Sequence, residues 1–200
     1  MASLGAKFLS ESWQSLFYSA VFEANSALDS LFTGIDHGNH ILIKQPENNG
    51  TGLRFQPFSG GVTANTWGLS RRYNAVNTLL KTMWSTEYPT SVHVPVDTLL
   101  NVLCKALAVD AAILKSVPNA SLLSVLPLIH VETFTTLKSL VLVFRKRVIS
   151  HLSTIVALVV KYLQRSGSGA YRNYRQPLAY VTRYSDVTNI AAITSLTPLL

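Results

Sequence analysis

The feature that most constrains this chain is a long apolar segment, residues 128–164, in which apolar side chains recur at helical spacing. A basic triplet at 145–147 divides the segment, so we predict two helices, about 128–144 and 148–164, joined at the triplet. Each helix is apolar over a wide face, and a single neighbouring helix would leave part of that face in water. The sequence therefore predicts a helical hairpin that its neighbours cover on two sides, as in antiparallel helical arrays.

Helical spacing also marks the N-terminal and central parts of the chain. Apolar residues follow steps of three and four between Phe8 and Phe32, and Gly34 is expected to end that helix. A further helix is predicted after Pro95, with Asp97 as its N-cap. We predict an all-α fold, an irregular HEAT/armadillo-like array (an α-solenoid) without a fixed repeat period. The predicted core positions are Trp13, Phe17, Leu28, Leu103, Phe134, Leu137, Leu140, Leu152, Ile155 and Val159.

One region interrupts the helical pattern. Residues 34–70 hold seven of the ten glycines and show no helical period. A loop of that length is uncommon inside a compact domain, so we predict a mobile insertion. The expected organisation is an N-terminal helix of the array at 1–33, the Gly-rich loop at 34–70, and a helical-repeat core with a basic C-terminal end at 71–200.

The formal charge of +7 is unevenly distributed along the 200 residues. Residues 1–144 contain nine Lys or Arg and nine Asp or Glu, whereas residues 145–200 contain eight Lys or Arg and a single acid, Asp186. The whole surplus therefore lies at the C-terminal end. Such a basic end predicts an acidic partner, either nucleic acid or an acidic protein segment.

Six basic residues of this end are candidate contacts to a partner or to RNA: Arg145, Lys146, Arg147, Arg172, Arg175 and Arg183. The first three would close a helix, where the dipole favours cations by ~0.3–1 kcal/mol each, and that explains them without a ligand. The other three alternate with tyrosines in the segment 171–184, and single-stranded RNA binding uses arginine together with stacking aromatic rings. A helix that buries its tyrosine rings and exposes its arginines explains the same pattern. Both interpretations stay open.

The stretch VLPLIHVETF, residues 125–134, places His130 and Glu132 in an apolar run. Two metal ligands on one helix face need a spacing of three or four, whereas a spacing of two directs them about 200° apart. We therefore interpret both residues as structural. Pro127 is expected in the first turn of the helix, with Glu132 near the positive end of its dipole and His130 hydrogen-bonded to a neighbouring loop.

The sequence lacks the P-loop, dinucleotide-binding and nucleophile-elbow motifs. Its single cysteine, Cys104, is expected to be an inert thiol on the apolar side of a helix. His37 and His40 lie in the Gly-rich loop, where a polar turn is favoured over a weak metal site. We predict no enzymatic activity, no catalytic residue, no cofactor and no metal. The best uncharged run for a membrane span, 148–160, is too short to cross a bilayer, and residues 1–13 lack a secretory apolar segment, so we expect an intracellular protein without a membrane.

Three segments together resemble the Rix-type family of pre-rRNA-processing proteins. ESWQSLFYSAVFEANSALDSLFTGI, residues 11–35, resembles the tryptophan-containing helix of that family. VPVDTLLNVLCKALAV, residues 94–109, is similar to an element of its animal members, and the hairpin at 126–163 opens on the same L-P-x-I-H-x-E. The resemblance covers most of residues 10–185, and the Gly-rich loop is its poorest part.

The resemblance implies a non-catalytic nuclear scaffold, nucleolar and nucleoplasmic, that acts in pre-rRNA processing and large-ribosomal-subunit biogenesis. Its implied partners are a WD-repeat protein, a second helical-repeat protein, the pre-ribosomal particle and a second copy of the chain. Family members are longer, so the chain is expected to be a fragment. Animal members are also described as nuclear-receptor coactivators that use L-x-x-L-L helices. Here only residues 196–200 fit that pattern, and Pro198 inside it argues against receptor docking.

Overall fold

The computed structural model of the chain describes residues 2–35, 53, 61–114 and 120–167. These residues form helices and short connections, without a strand in the described ranges. The helices are α1 (Ala2–Leu31), α2 (Val62–Ser85), α3 (Val96–Ala108), α4 (Ala111–Leu114), α5 (Ala120–Val148), a 3-10 turn (Ile149–His151) and α6 (Leu152–Gly167). The predicted all-α class is confirmed, and HEAT/armadillo-like stacking stays a prediction.

The helix α5 lies at the centre of the packing. It contacts α2 and α3, and those two helices in turn contact α1, while α6 packs on α3. The buried apolar side chains of all these helices form one continuous cluster. Nine of the ten predicted core positions are buried, and Leu152 is half-buried at the start of α6.

The α2–α5 interface contains polar contacts as well as apolar ones. Each contact joins a side chain of α2 to one of α5, and together they run along much of the interface. They are Tyr73 Oη to Thr133 Oγ1 at 2.9 Å, Lys81 Nζ to Glu132 Oε1 at 2.6 Å, and Trp84 Nε1 to Ser139 Oγ at 2.8 Å. Apolar packing tolerates a small slide between two helices, but these directional bonds do not. They therefore fix the register of α2 on α5.

The predicted end of the first helix is confirmed. Helical residues stop at Leu31, and Phe32 still donates its N–H to the Leu28 carbonyl at 2.8 Å. Gly34 then adopts a φ of 79°, in the left-handed region that glycine enters without a steric penalty. The chain consequently leaves α1 at this glycine, although the helix itself begins earlier than the predicted Phe8.

The predicted start of the helix around His130 is wrong. Helix α5 begins at Ala120, so Pro127 lies in its interior and Glu132 is well beyond its first turn. An interior proline costs about 3 kcal/mol because it removes a backbone hydrogen bond and crowds the preceding turn. The side chains of Val125 and Ile129, on either side of it, are fully buried. Each such burial contributes about 1.5–3 kcal/mol, which offsets the cost of the proline.

The predicted boundary of the Gly-rich loop at 34–70 is also wrong at its C-terminal end. Helix α2 begins at Val62, so residues 62–70 are helical. Gly68 obscured the helical period there, although the buried Leu69 continues the apolar face of the helix. Most of the remaining loop lies outside the described residues, and its mobility stays a prediction.

The two helices predicted to meet at the basic triplet are partly merged. Helical hydrogen bonding continues to Val148, but Arg145 has the non-helical dihedrals φ 14° and ψ −83°. The predicted change of direction therefore occurs at the first residue of the triplet, and the 3-10 turn then leads into α6.

One stretch, Ser121–Gln164, is long and apolar enough to cross a membrane by length and composition. However, 56% of its most apolar window is buried inside the protein. A core helix meets the same criterion, so this is weak evidence for a membrane segment. The absence of a membrane stays an expectation.

The central position of α5 predicts unequal costs for two neighbouring leucine truncations. Leu140 is 0% exposed and Leu142 is 41% exposed. Leu140→Ala should lower the free energy of unfolding by ~2–5 kcal/mol, because it leaves a cavity among packed helices. Leu142→Ala is the matched control and should cost less than ~1 kcal/mol. Urea unfolding followed by circular dichroism measures both, and equal costs would place Leu140 at the surface.

Candidate functional site

The predicted basic turn is exposed at the end of α5. Arg145, Lys146 and Arg147 all present their side chains to solvent. Arg145 donates its Nε–H to the Leu142 carbonyl of the preceding turn at 3.3 Å. Within the described part of the chain, none of the three forms an ion pair with a carboxylate. Their charges are therefore available to an external partner.

The remaining predicted contacts lie outside the described residues. They are Arg172, Arg175 and Arg183, with the tyrosines interleaved among them. The same holds for His37 and His40 and for the L-x-x-L-L match at 196–200. The basic surface that the structure shows is consequently the turn at 145–147, and a joint surface with 171–184 stays a prediction.

A cleft of about 470 Å³ lies beside this turn. Its walls come from α1, from the connection between α2 and α3, from the first turn of α3, and from the turn after α5. They consist of Ser10, Gln14, Ser91, Val92, His93, Val94, Pro95, Val96, Asp97, Arg147 and His151. Of the basic triplet, only Arg147 lines the cleft. Arg147 is thus the residue of the turn that lies at the cleft, and Arg145 and Lys146 are exposed elsewhere on the surface.

The first turn of α3 supplies the carboxylate of the cleft. The prediction that Asp97 is the N-cap of this helix is wrong, because Pro95 holds that position and Asp97 is the second helical residue. The fixed φ of proline, here −78°, is suited to a helix start, and Pro95 makes no side-chain cap hydrogen bond. The Asp97 carboxylate instead lies 3.1 Å from His151 Nδ1. That pair joins α3 to the 3-10 turn after α5.

His130 is a structural residue, as its spacing predicted. It is 0% exposed, its Nε2 lies 3.0 Å from the Val109 carbonyl oxygen, and its Nδ1 lies 3.2 Å from the Tyr162 hydroxyl. A carbonyl can only accept, so Nε2 carries the hydrogen and Nδ1 accepts from tyrosine. Val109 follows α3, which confirms the predicted bond to a neighbouring connection. Burial lowers the pKa of His130 to about 4, against smaller opposing effects of the Val109 bond and of Asp110.

Glu132 is also held in a structural contact. Its carboxylate receives the Lys81 ammonium at 2.6 Å, with both side chains about one-fifth exposed. Both Glu132 and His130 are therefore engaged in contacts between helices or between a helix and a neighbouring connection. Among the residues described, no group of three His, Cys, Asp or Glu side chains could hold a metal ion. Burial raises the pKa of the Cys104 thiol, which disfavours the reactive thiolate.

Sequence reasoning missed a partly buried ion pair between α1 and α3, formed by a buried lysine and an exposed aspartate. Lys105 is 2% exposed, and its ammonium donates to the Asn25 carbonyl oxygen at 2.9 Å and pairs with the Asp29 carboxylate. The Asn25 amide in turn donates to Asp29 at 2.9 Å. The sequence does place Lys105 on the apolar face of α3, beside Leu103 and Ala106, which indicates a buried lysine that needs a partner. Helical periodicity alone does not show that the partner lies on α1. The contact has a structural explanation, because it ties two core helices together.

Comparison with known proteins gives similarity at low identity. The chain is 26% identical over 175 residues to "Proline-, glutamic acid- and leucine-rich protein 1" of Mus musculus, covering 84% of this chain and 15% of that protein. It is 24% identical over 169 residues to the protein of the same name from Xenopus laevis, covering 82% of this chain and 16% of that protein. No family model matches the chain, and no solved structure matches it. The predicted Rix-type assignment therefore stays an expectation.

The buried neutral imidazole predicts a loss of stability in acid. Between pH 6.5 and about 4 the unfolded chain binds a proton at His130 that the folded chain excludes. The titration of His130 should therefore leave the free energy of unfolding unchanged above pH 6.5. By pH 4 it should have lowered that free energy by roughly 3 kcal/mol. Urea unfolding across this pH range measures the slope.

Two variants test whether the His130 imidazole causes this loss of stability between pH 6.5 and 4. His130→Gln should be less stable than the wild type at pH 7 but should lose less stability between pH 6.5 and 4. Leu142→Ala, at an exposed and non-titrating side chain of the same helix, should keep the acid sensitivity of the wild type. An unchanged slope in His130→Gln would contradict a buried neutral His130.

Proposed function

We propose that this chain is a non-catalytic helical scaffold domain that acts in the nucleus, in pre-rRNA processing and large-ribosomal-subunit biogenesis. The observation that carries the proposal is similarity over 84% of the chain to the proline-, glutamic acid- and leucine-rich protein of mouse. The chain spans about one-sixth of the length of these relatives. The resemblance of three segments to the Rix-type family supplies the ribosomal part of the proposal.

The use of the polar side chains supports a scaffold over an enzyme. His130, Glu132, Lys81 and Lys105 are titratable residues at half-buried or buried positions, where catalytic groups are usually found. In this chain each of them joins one helix to another element. The basic turn keeps three adjacent charges exposed, which suits recognition better than chemistry.

The proposed partners follow from the same resemblance. They are a WD-repeat protein, a second helical-repeat protein, the pre-ribosomal particle and a second copy of the chain, with residence in the nucleolus and nucleoplasm. A role in transcriptional coregulation belongs to the same proposal. The exposed apolar side chains of the outer face of α6, Val156 and Val160, are available for such protein contacts.

A second candidate function is an RNA-binding helical module that uses the basic region 145–184. Three adjacent exposed cations without an acidic partner in the described ranges favour it. Phosphate contacts release counterions, so RNA affinity would fall steeply with salt, whereas apolar scaffold contacts would not. Salt dependence therefore separates the two candidates.

Affinity purification of the tagged full chain from animal nuclear extract tests the scaffold proposal. Pre-ribosomal particles and a WD-repeat protein should be recovered together and should remain bound when the salt concentration rises, because packed apolar contacts are weakly screened. Leu140→Ala, which should destabilise the domain, is the control for dependence on the fold. Recovery of a folded, nuclear chain without either component would contradict the proposal.

Charge reversal in the basic turn tests the RNA candidate. The triple variant Arg145→Glu, Lys146→Glu and Arg147→Glu should fold normally apart from a helix-dipole penalty of roughly 1–2 kcal/mol in total. If the turn binds RNA, affinity for single-stranded oligouridylate should drop, and the slope of log affinity against log salt should shrink by roughly 2. Wild-type affinity and slope in a folded triple variant would reject this candidate.

A further inference from the structure

The connection between α2 and α3 has the character of an unpaired extended strand. From Ser91 to Val94 the side chains alternate between more exposed and more buried positions, which is the pattern of an extended chain. The run ends at Pro95, where φ −78°, ψ 82° and the 3.0 Å bond from Val96 N–H to the Val94 carbonyl define a tight turn. This short strand belongs to no sheet in the described structure.

This extended segment forms one wall of the cleft. All five residues from Ser91 to Pro95 line it, and alternating side chains alone could not supply five consecutive contacts. Across the described residues, the N–H and C=O groups of Ser91, Val92 and His93 have no hydrogen-bond partner within the protein. The cleft therefore offers a row of main-chain donors and acceptors, which is what an extended peptide pairs with when it adds a strand.

The charge in the cleft selects the chemistry of that peptide. Arg147 lines one wall, is exposed, and forms no ion pair with a carboxylate among the described residues. An arginine in this state favours a carboxylate, which it can bind through two parallel hydrogen bonds. Asp97 lies in the same cleft, paired with His151 and 82% exposed. The negative charge of Asp97 would repel RNA, whose backbone carries a phosphate at every nucleotide. A peptide that carries one acidic side chain opposite Arg147 fits the site better.

We propose that the cleft between α1, the strand Ser91–Pro95 and the end of α5 binds an extended acidic segment of a partner protein. The peptide main chain pairs with Ser91–His93, and one of its Asp or Glu side chains binds Arg147. At about 470 Å³ the cleft has the size of a ligand site and holds only a few residues of the segment. The inference rests on the scaffold role proposed above, because it states where one partner docks.

The test uses the full chain and a displayed library of random peptides, about twelve residues long, so that extended peptides of many sequences compete for the cleft. The wild type should select peptides enriched in Asp or Glu at one position. Arg147→Glu should lose that enrichment and select Lys or Arg there instead. Lys146→Glu is the matched control, since it makes the same charge change one residue away on an exposed side chain that does not line the cleft. It should select the same peptides as the wild type.

The selected peptide is then measured by fluorescence anisotropy. Its affinity should fall about tenfold or more with Arg147→Glu and less than about twofold with Lys146→Glu. N-methylation at alternate main-chain nitrogens keeps the charge of the peptide but removes its donors, and should abolish binding. Circular dichroism checks the fold of each variant, with Arg147→Gln as the milder change.

Three outcomes would overturn the inference: no acidic enrichment, equal selection by wild type and Arg147→Glu, or tight binding of the N-methylated peptide. Displacement of the peptide by oligouridylate at lower concentration than by the peptide itself would assign the cleft to RNA. Library selection is independent of any nuclear assembly. A chain that selects acidic peptides but recovers no pre-ribosomal particle keeps this site and loses the proposed pathway.

Discussion

Helix α5 packs against both α2 and α3, which bury much of its apolar surface, and the positions of the other elements depend on that double burial. Phe134, Leu137 and Leu140 are completely buried along it, which is more apolar contact than one neighbouring helix provides. The apolar contacts hold the helices together without choosing a register, and the hydrogen bonds to Tyr73, Lys81 and Trp84 of α2 then fix it. The same arrangement explains why an interior proline is tolerated.

The position of α5 also determines where charge reaches the surface. Its C-terminal end leaves the core at Arg145, so all three side chains of the basic turn are exposed, whereas Phe134, Leu137 and Leu140 earlier in the helix are buried. His130 links the middle of α5 to α6 through Tyr162 and to the end of α3 through Val109. These bonds fix α5 and α6 to each other and to α3 at the end that lies away from the basic turn. The pair between His151 and Asp97 joins the 3-10 turn after α5 to α3 and so closes the other end. The cleft beside Arg147 is the concave space that this closure leaves.

Periodicity predicted the parts of this structure that depend on local chemistry. The all-α class, the buried face of α1 and the interior of α5 follow from apolar spacing, and the end of α1 follows from Gly34. The predicted helix boundaries were wrong near Pro127 in α5 and near Gly68 in α2. Both residue types disfavour a helix locally, but apolar side chains close to them in the chain are buried in the core, and that burial offsets the local cost. The structural role of His130 was predictable from spacing, but its partners were not, since Val109 and Tyr162 lie 21 and 32 residues away along the chain. Lys105 and the cleft were missed for the same reason, because nothing in the sequence states which distant residues meet.

Native-state hydrogen exchange tests the central position of α5 most directly. If double burial makes α5 the last element to open, the amides between Leu126 and Val141 should exchange only through global unfolding. Their protection free energies should then equal the unfolding free energy from urea titration. The amides of the outer helix α6 and of the first turns of α1 should exchange earlier, through local openings. Exchange of the α5 amides at lower free energy than those of α6 would contradict the account.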